Sequence, residues 1–385
     1  MSVRGSRLAD RLTGARSALL LATVVASTFV VTYGSVVAVK PLFAQDTRYY
    51  AAMSLWFGGD SKAEAARQVT EMSARSGFKT PTVDTLFGWG LVQPRVVLPA
   101  LSVPFVKIWG IDGMVVVPGL ALAALIGVLT WMLARRWGGV AAAATVVVVL
   151  CSSRIMYYGA AMLTESLSAL WGALTLVAAW QYQRHRGWRP VVWMVALTVV
   201  SGFTRQATLI PAGAFVTAWF VAVALRRRPN TWGAPAIAVA VTAVTVQLLQ
   251  TRLFPTFSQL DQFEAKTGAH SLGEALRGAP GLAWRIAWHD AVNIATSDHA
   301  LLVLIMLSAL SMVVFWRRAE SHLLLGAILG IELYSVTNGT PTAFRYAMPG
   351  LAFFAVSVAL FIARADQRPD RPPEEGTPTV AARGS

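Results

Sequence analysis

Cysteine is all but missing: the 385 residues contain one, Cys151. A single thiol excludes a disulfide within the chain and any multi-thiolate metal site. Its place inside an apolar run reads as that of a small core residue. Histidine is scarce as well, with five residues. His270, His289 and His299, even with Asp290, fall at no regular ligand spacing. No cofactor and no protein metal site are expected; a divalent metal is allowed but not indicated. Charge is thin: 14% of residues are charged against 55% hydrophobic, and the mean hydropathy is +0.55. That balance excludes an ordinary soluble domain and fits an all-α polytopic membrane protein. Acidic side chains are the rarer charge, 19 against 33 basic, for a net charge of +14. Such an excess in a soluble chain would point to nucleic acid. Here the basic clusters fall between apolar runs, which is the pattern of cytoplasmic loops, so nucleic acid is not an expected partner.

What the chain does have is a succession of apolar runs. Residues 1–16 form a basic leader with Arg4, Arg7, Arg11 and Arg16. The run from Ala18 to Val39 is longer than a signal-peptide core and is not closed by a small-residue cleavage site, so it reads as a retained first span. Further spans are predicted near Met114–Leu133, Val140–Cys151, Leu167–Tyr182, Val191–Phe203, Thr208–Leu225, Ala234–Leu253, Leu301–Phe315, Leu323–Val336 and Pro349–Ala363. The segment Gln93–Gly110 holds Pro94, Pro99 and Pro104, which argues against a regular span; it is placed as a helix at the interface. With that choice the positive-inside rule puts every multi-arginine cluster in the cytoplasm. The expected organisation is a transmembrane region over 17–364 with ten spans, outer loops over 40–111 and 254–298, a disordered tail over 365–385, and both termini cytoplasmic at the plasma membrane. The sequon at Asn338 lies too near the membrane to carry weight.

Topology makes the remaining arginines informative. Arg48, Arg154, Arg205 and Arg345 sit near outer span ends, each from a different loop; Arg95, Arg252, Arg277 and Arg285 also lie outside. Each alone reads as readily as a lipid contact. Four on one face suggest a pocket for an anionic headgroup, because guanidinium holds phosphate oxygens bidentately. Asp46 stands just past the first span, within Gln45-Asp46-Thr47-Arg48-Tyr49-Tyr50, and Glu165 at the outer start of a later one. Either reads also as a helix-terminal charge. Glu332 falls inside a predicted span, where an unpaired carboxylate is expensive. It is expected to face the interior and to meet a polar cavity or an arginine, with Arg205 and Arg345 as candidates. Tyr157, Tyr158, Tyr346, Trp89 and Trp109 fit an interfacial aromatic belt, some able to stack on a sugar.

Taken together, these stretches resemble the GT-C superfamily of membrane glycosyltransferases. The resemblance rests on Asp46 in its motif and the proline-bearing stretch Arg95–Gly110. It also rests on Ser153-Arg154-Ile155-Met156-Tyr157-Tyr158 leading to Glu165, on Phe203-Thr204-Arg205-Gln206-Ala207, and on Arg345-Tyr346-Ala347-Met348-Pro349-Gly350. It implies transfer of a sugar from a polyprenyl-phosphate carrier to a glycan, lipid or protein acceptor on the extracytoplasmic face. By match, Asp46 is the general base and Glu165 a second catalytic carboxylate. Arg48, Arg154, Arg205, Arg345 and Tyr346 hold the donor phosphate, and Tyr49, Tyr157 and Tyr158 meet substrate. Thr47 stands where larger members carry a second acidic residue. The competing expectation is a transporter or flippase of an anionic lipid or lipid-linked sugar, which would need a cavity continuing to the other side. A non-catalytic scaffold would need no convergence of charge.

Overall fold

The computed structural model describes residues 3–365 except Thr80, Arg228, Pro229, Pro255 and Phe257, with side chains from Ser17 onward, Gln259 excepted. The leader side chains and the predicted tail over 366–385 lie outside the described residues.

The described chain is helical throughout. A first helix, α1 (Val3–Val39), precedes a block of three shorter helices, α2 (Thr47–Phe57), α3 (Lys62–Arg75) and α4 (Val83–Gly88). Then come α5 (Val97–Trp109), α6 (Val116–Trp137), α7 (Gly139–Cys151), α8 (Ser153–Ala160), α9 (Glu165–His185), α10 (Trp188–Thr204), α11 (Leu209–Ala224) and α12 (Gly233–Leu253). The order ends with α13 (Gln259–Thr267), α14 (Leu272–Ser297), α15 (His299–Val314), α16 (Ala319–Asn338) and α17 (Leu351–Ala365). A 3-10 turn over Arg345–Gly350 leads into the last helix.

All ten predicted apolar segments are helical. Among the described residues five helical stretches are long and apolar enough to cross a membrane, or six with the bent pair α7–α8 counted as one. The stretch Val97–Trp137 has 41 residues, about 60 Å of helix, twice a ~30 Å hydrocarbon layer. It is divided by Gly110, whose φ of 64° only glycine adopts easily, and by the 3-10 turn that follows. The helix α9 is less apolar because it carries Ser166, Ser168 and Thr175, and it buries them inside the bundle.

Three expectations are corrected. The stretch 152–159, expected as a loop after the third span, is helical from Ser153: Ser152 caps α8, its hydroxyl accepting from Ile155 N, and the chain bends by 74° between α7 and α8. The stretch 254–298, expected as an outer loop, is mostly helix, α13 and α14, each capped by a serine that accepts from the amide three residues on. Cys151 is exposed rather than in the core.

Small residues set the closest helix crossings. A Cβ on Gly213 would lie 2.6 Å from Gly326 O, and one on Gly330 2.6 Å from Leu209 O. Only glycine lets α11 and α16 approach this far. At Gly172 in α9 a Cβ would lie 2.3 Å from Pro349 O. The missing side chain seats the Arg345–Gly350 turn directly on α9.

Candidate functional site

Four chain segments meet at the start of α9. The loop before α2 is tied down by Met162 N donating to Leu42 O at 3.0 Å and Thr47 Oγ1 donating to Met162 O at 3.0 Å. This fixes Asp46 beside Glu165. Arg205 arrives where α10 ends, in extended conformation with φ −161° and ψ 139°. Arg345 arrives on the turn seated against Gly172.

The charges then interlock. Arg205 Nη1 donates to Glu165 Oε1 at 2.7 Å and to Thr164 Oγ1 at 3.2 Å. Arg345 bridges both acids: its Nε donates to Glu165 Oε1 and its Nη2 to Asp46 Oδ2 at 2.5 Å. Glu165 is fully buried and Arg205 is 1% exposed, whereas Asp46 and Arg345 keep about a fifth of their side-chain surface, 20% and 17%. The cluster is therefore sealed at Glu165 and open at Asp46. The Arg205 guanidinium lies 5.1 Å from the Tyr346 ring centre and 5.8 Å from that of Tyr334. Three buried atoms here have no hydrogen-bond partner: Glu165 Oε2, Arg205 Nε and the Tyr334 hydroxyl.

Arg95 completes the group from the loop before α5. Its Nε donates to Gln206 Oε1 at 2.8 Å and its Nη1 to the Tyr50 hydroxyl at 3.0 Å. Three guanidinium groups against two carboxylates leave a surplus of one positive charge. Burial pushes the Asp46 carboxyl up, but Arg345, Arg95 and Arg205 together hold it below the usual carboxylate range. Asp46 is ionised at neutral pH. It precedes α2 without capping it, since its side chain makes no cap hydrogen bond; the helix-cap reading does not apply.

The other sequence candidates lie elsewhere. Arg48 turns away, donating to Gln45 O at 2.7 Å and to Lys79 O. Arg154 Nη2 donates to Asn293 Oδ1 at 2.7 Å and to Ser297 Oγ at 3.1 Å. Neither joins Asp46, because each is satisfied by its own neighbourhood. Tyr49 packs on Trp89 at 4.6 Å. Tyr157 packs against Tyr158 with the rings tilted and their centres 5.3 Å apart, and the Tyr158 hydroxyl donates to Thr342 O at 3.2 Å. Glu332 does not meet Arg205 or Arg345. It lines an apolar groove, and its Oε2 has no partner. Glu165 takes both arginines instead, because it sits at the level where the turn and the α10 terminus converge, while Glu332 lies farther along α16.

That groove, of about 360 Å³, runs between α14, α15 and α16 and is walled by Ile294, Ile305, Ile331 and Phe354 among others. It reaches the cluster at Tyr346, whose ring is shared between the groove and Arg205. The wall bearing Tyr346 begins with two non-glycine residues at positive φ, Ala343 at 47° and Phe344 at 78°, a conformation that costs energy for L-residues. Asp290 on α14 helps hold it, Oδ1 accepting from Ala343 N at 2.8 Å.

Sequence reasoning assigned no role to Tyr50, Gln206 or Arg95, although all three stand inside the stretches that carry the resemblance, and it did not single out Tyr334. Among the described residues no three His, Cys, Asp or Glu side chains group to hold a metal ion. No protein-family model, curated protein or solved structure matches the chain.

Proposed function

We propose that this protein is a membrane glycosyltransferase that moves a sugar from a polyprenyl monophosphate to an acceptor hydroxyl at the Asp46 end of the bundle. The observation that carries the reading is the convergence of Arg205 and Arg345, from distant segments, on Asp46 and Glu165 beside an apolar groove. The chain would cross the membrane ten times, with the Asp46 end extracytoplasmic and the arginine-rich helix ends cytoplasmic.

The chemistry follows from the charges. The donor's apolar tail lies in the groove, and its phosphate comes to the arginines at Tyr346. The buried Nε–H of Arg205, without a partner, and the one-charge surplus are suited to a phosphate oxygen. As the bond from the anomeric carbon to the phosphate oxygen breaks, its electron pair passes to the phosphate, where the guanidinium groups stabilise the growing charge. The acceptor oxygen forms the new bond to the anomeric carbon, and its proton passes to Asp46. A held, ionised Asp46 is a weak base, so proton transfer comes late, after the acceptor oxygen has gained positive character. Glu165, sealed and paired to two arginines, positions them and takes no proton.

The test is transfer of label from polyprenyl-phosphate sugars by the purified protein in liposomes. Turnover with at least one donor is expected, with donor binding weakened tenfold or more in Arg345→Ala. No transfer from any polyprenyl monophosphate sugar, with donor binding unchanged in Arg345→Ala, would remove the reading.

A further inference from the structure

We infer that the opposite end of the bundle carries a separate site for the phosphodiester headgroup of an anionic lipid, set between the last turns of α6 and α9. It does not depend on the transfer reaction. The 21 residues of α9 put roughly 30 Å between Glu165 and this end.

A cavity of about 220 Å³ lies here, walled by Trp131, Arg135, Arg136, Trp180, Gln181 and Arg184 among others. Arg136 is partly committed: its Nη2 donates to Glu320 Oε1 at 2.6 Å, and its guanidinium lies 4.5 Å from the Trp180 ring centre. Arg135 and Arg184 have no side-chain partner among the described residues. The second observation is Trp180 itself. It is 7% exposed and its Nε1 has no hydrogen-bond partner. A buried indole N–H left unpaired costs about 1–3 kcal/mol. Its ring lines the basic cavity, and its N–H, sealed from solvent, meets an acceptor when the ring shifts as a headgroup enters.

Charge selects the ligand. Three arginines less Glu320 leave two positive charges. Each helix C-terminus contributes roughly −0.5, and both α6 and α9 end here, so about one positive charge remains. A phosphodiester, with one negative charge, is matched. A phosphomonoester at about −1.5 to −2 is not. Trp131, half exposed at 50%, and the partly exposed Val177 extend apolar surface toward the helix middles, where acyl chains would lie. Charge bias between leaflets explains arginines at these helix ends. It does not require a cavity or a buried unpaired donor.

Lipid binding to the purified full chain, followed by native mass spectrometry, tests the site. Phosphatidylglycerol, phosphatidylcholine and inorganic phosphate serve as probes on the wild type, Arg135→Gln/Arg184→Gln, Trp180→Phe and, as a control, the exposed Arg189→Gln. One phosphatidylglycerol is expected to bind in preference to phosphatidylcholine. Binding should weaken tenfold or more in the double variant and about threefold to tenfold in Trp180→Phe, which keeps the ring but loses the donor. Arg189→Gln should match the wild type. Equal binding of the two lipids, unchanged binding in both site variants with thermal transitions intact, or displacement by inorganic phosphate at equal concentration would overturn the proposal.

Discussion

Arginines gather at both ends of this bundle, and the two ends treat them oppositely. At the Asp46 end Arg205 is 1% exposed and faces a carboxylate that is 0% exposed. At the other end Arg136, 32% exposed, pairs with Glu320, while Arg135 and Arg184 line an open cavity without a side-chain partner among the described residues. A charge withdrawn from water must be paired or it is lost to protonation or unfolding. A charge at the rim keeps its hydration and needs no partner. The first end is thus a fixed constellation whose members specify one another. The second is a field that a diffusing ligand completes.

The contrast breaks most sharply at Asp46. If that end is a reaction site, Asp46→Asn should cut sugar transfer by about 10²- to 10⁴-fold. The fold should survive, because Arg345 keeps Glu165. Circular dichroism and a thermal melt in detergent check the second half. Transfer at the wild-type rate would make the cluster structural. The pH dependence follows from the sign of the shift. With its carboxyl held below the ordinary range, Asp46 contributes fully above that range and is lost only as pH falls through the depressed value. Transfer between about pH 5 and 8 should therefore show no limb due to Asp46. An acidic limb in that window that disappears in Asp46→Asn would contradict the assigned shift.

Next in size is Glu165→Ala. It leaves Arg205 buried without its carboxylate, and removal of one partner from a buried pair costs about 3–5 kcal/mol. The melting transition should fall accordingly, and Glu165→Gln, which keeps one acceptor for Arg205, should fall less. Equal losses in the two variants would mean that packing, not charge, dominates at this position.

The sequence made some of this legible and hid the rest for physical reasons. Apolar runs bounded by arginines locate the helices, because membrane insertion is a local, additive property of composition. Asp46, Glu165, Arg205 and Arg345 were each recognisable as charged residues at outer helix ends. Their pairing was not, because it depends on where the Arg345 turn lands, and that is decided by a missing side chain at Gly172. Arg48 and Arg154 looked equivalent to the other two in sequence. They part company because carbonyls at Gln45 and Lys79, and the side chains of Asn293 and Ser297, satisfy them locally. Glu332 was misassigned for the same reason: position within a span says that a carboxylate is buried, not which of several arginines comes to its level.

Gly172→Ala probes that hidden determinant. The added methyl would lie 2.3 Å from Pro349 O, a backbone atom that cannot swing aside. The turn must lift, with a cost of roughly 1–3 kcal/mol for overpacking. Arg345 should then lose reach to Glu165, so transfer should drop further than the stability loss accounts for. If the melt falls while transfer per folded molecule is unchanged, the seating of the turn does not set the arginine.

The smallest effect belongs to the opposite end, and its smallness is the point. Arg136→Ala removes an ion pair whose arginine side chain is 32% and whose Glu320 side chain is 10% exposed, so it should cost about 1 kcal/mol, the upper end for a rim pair, part of it from the lost contact with the Trp180 ring. The loss should shrink with added salt, since solvent ions screen a rim pair. The cost of Glu165→Ala should be nearly indifferent to salt, because ions do not reach a sealed carboxylate. Measuring both melts from about 50 mM to 500 mM salt therefore compares the two ends in one experiment. A salt-independent loss of several kcal/mol in Arg136→Ala would erase the distinction, for it would mean that both ends hold their arginines by the same buried pairing.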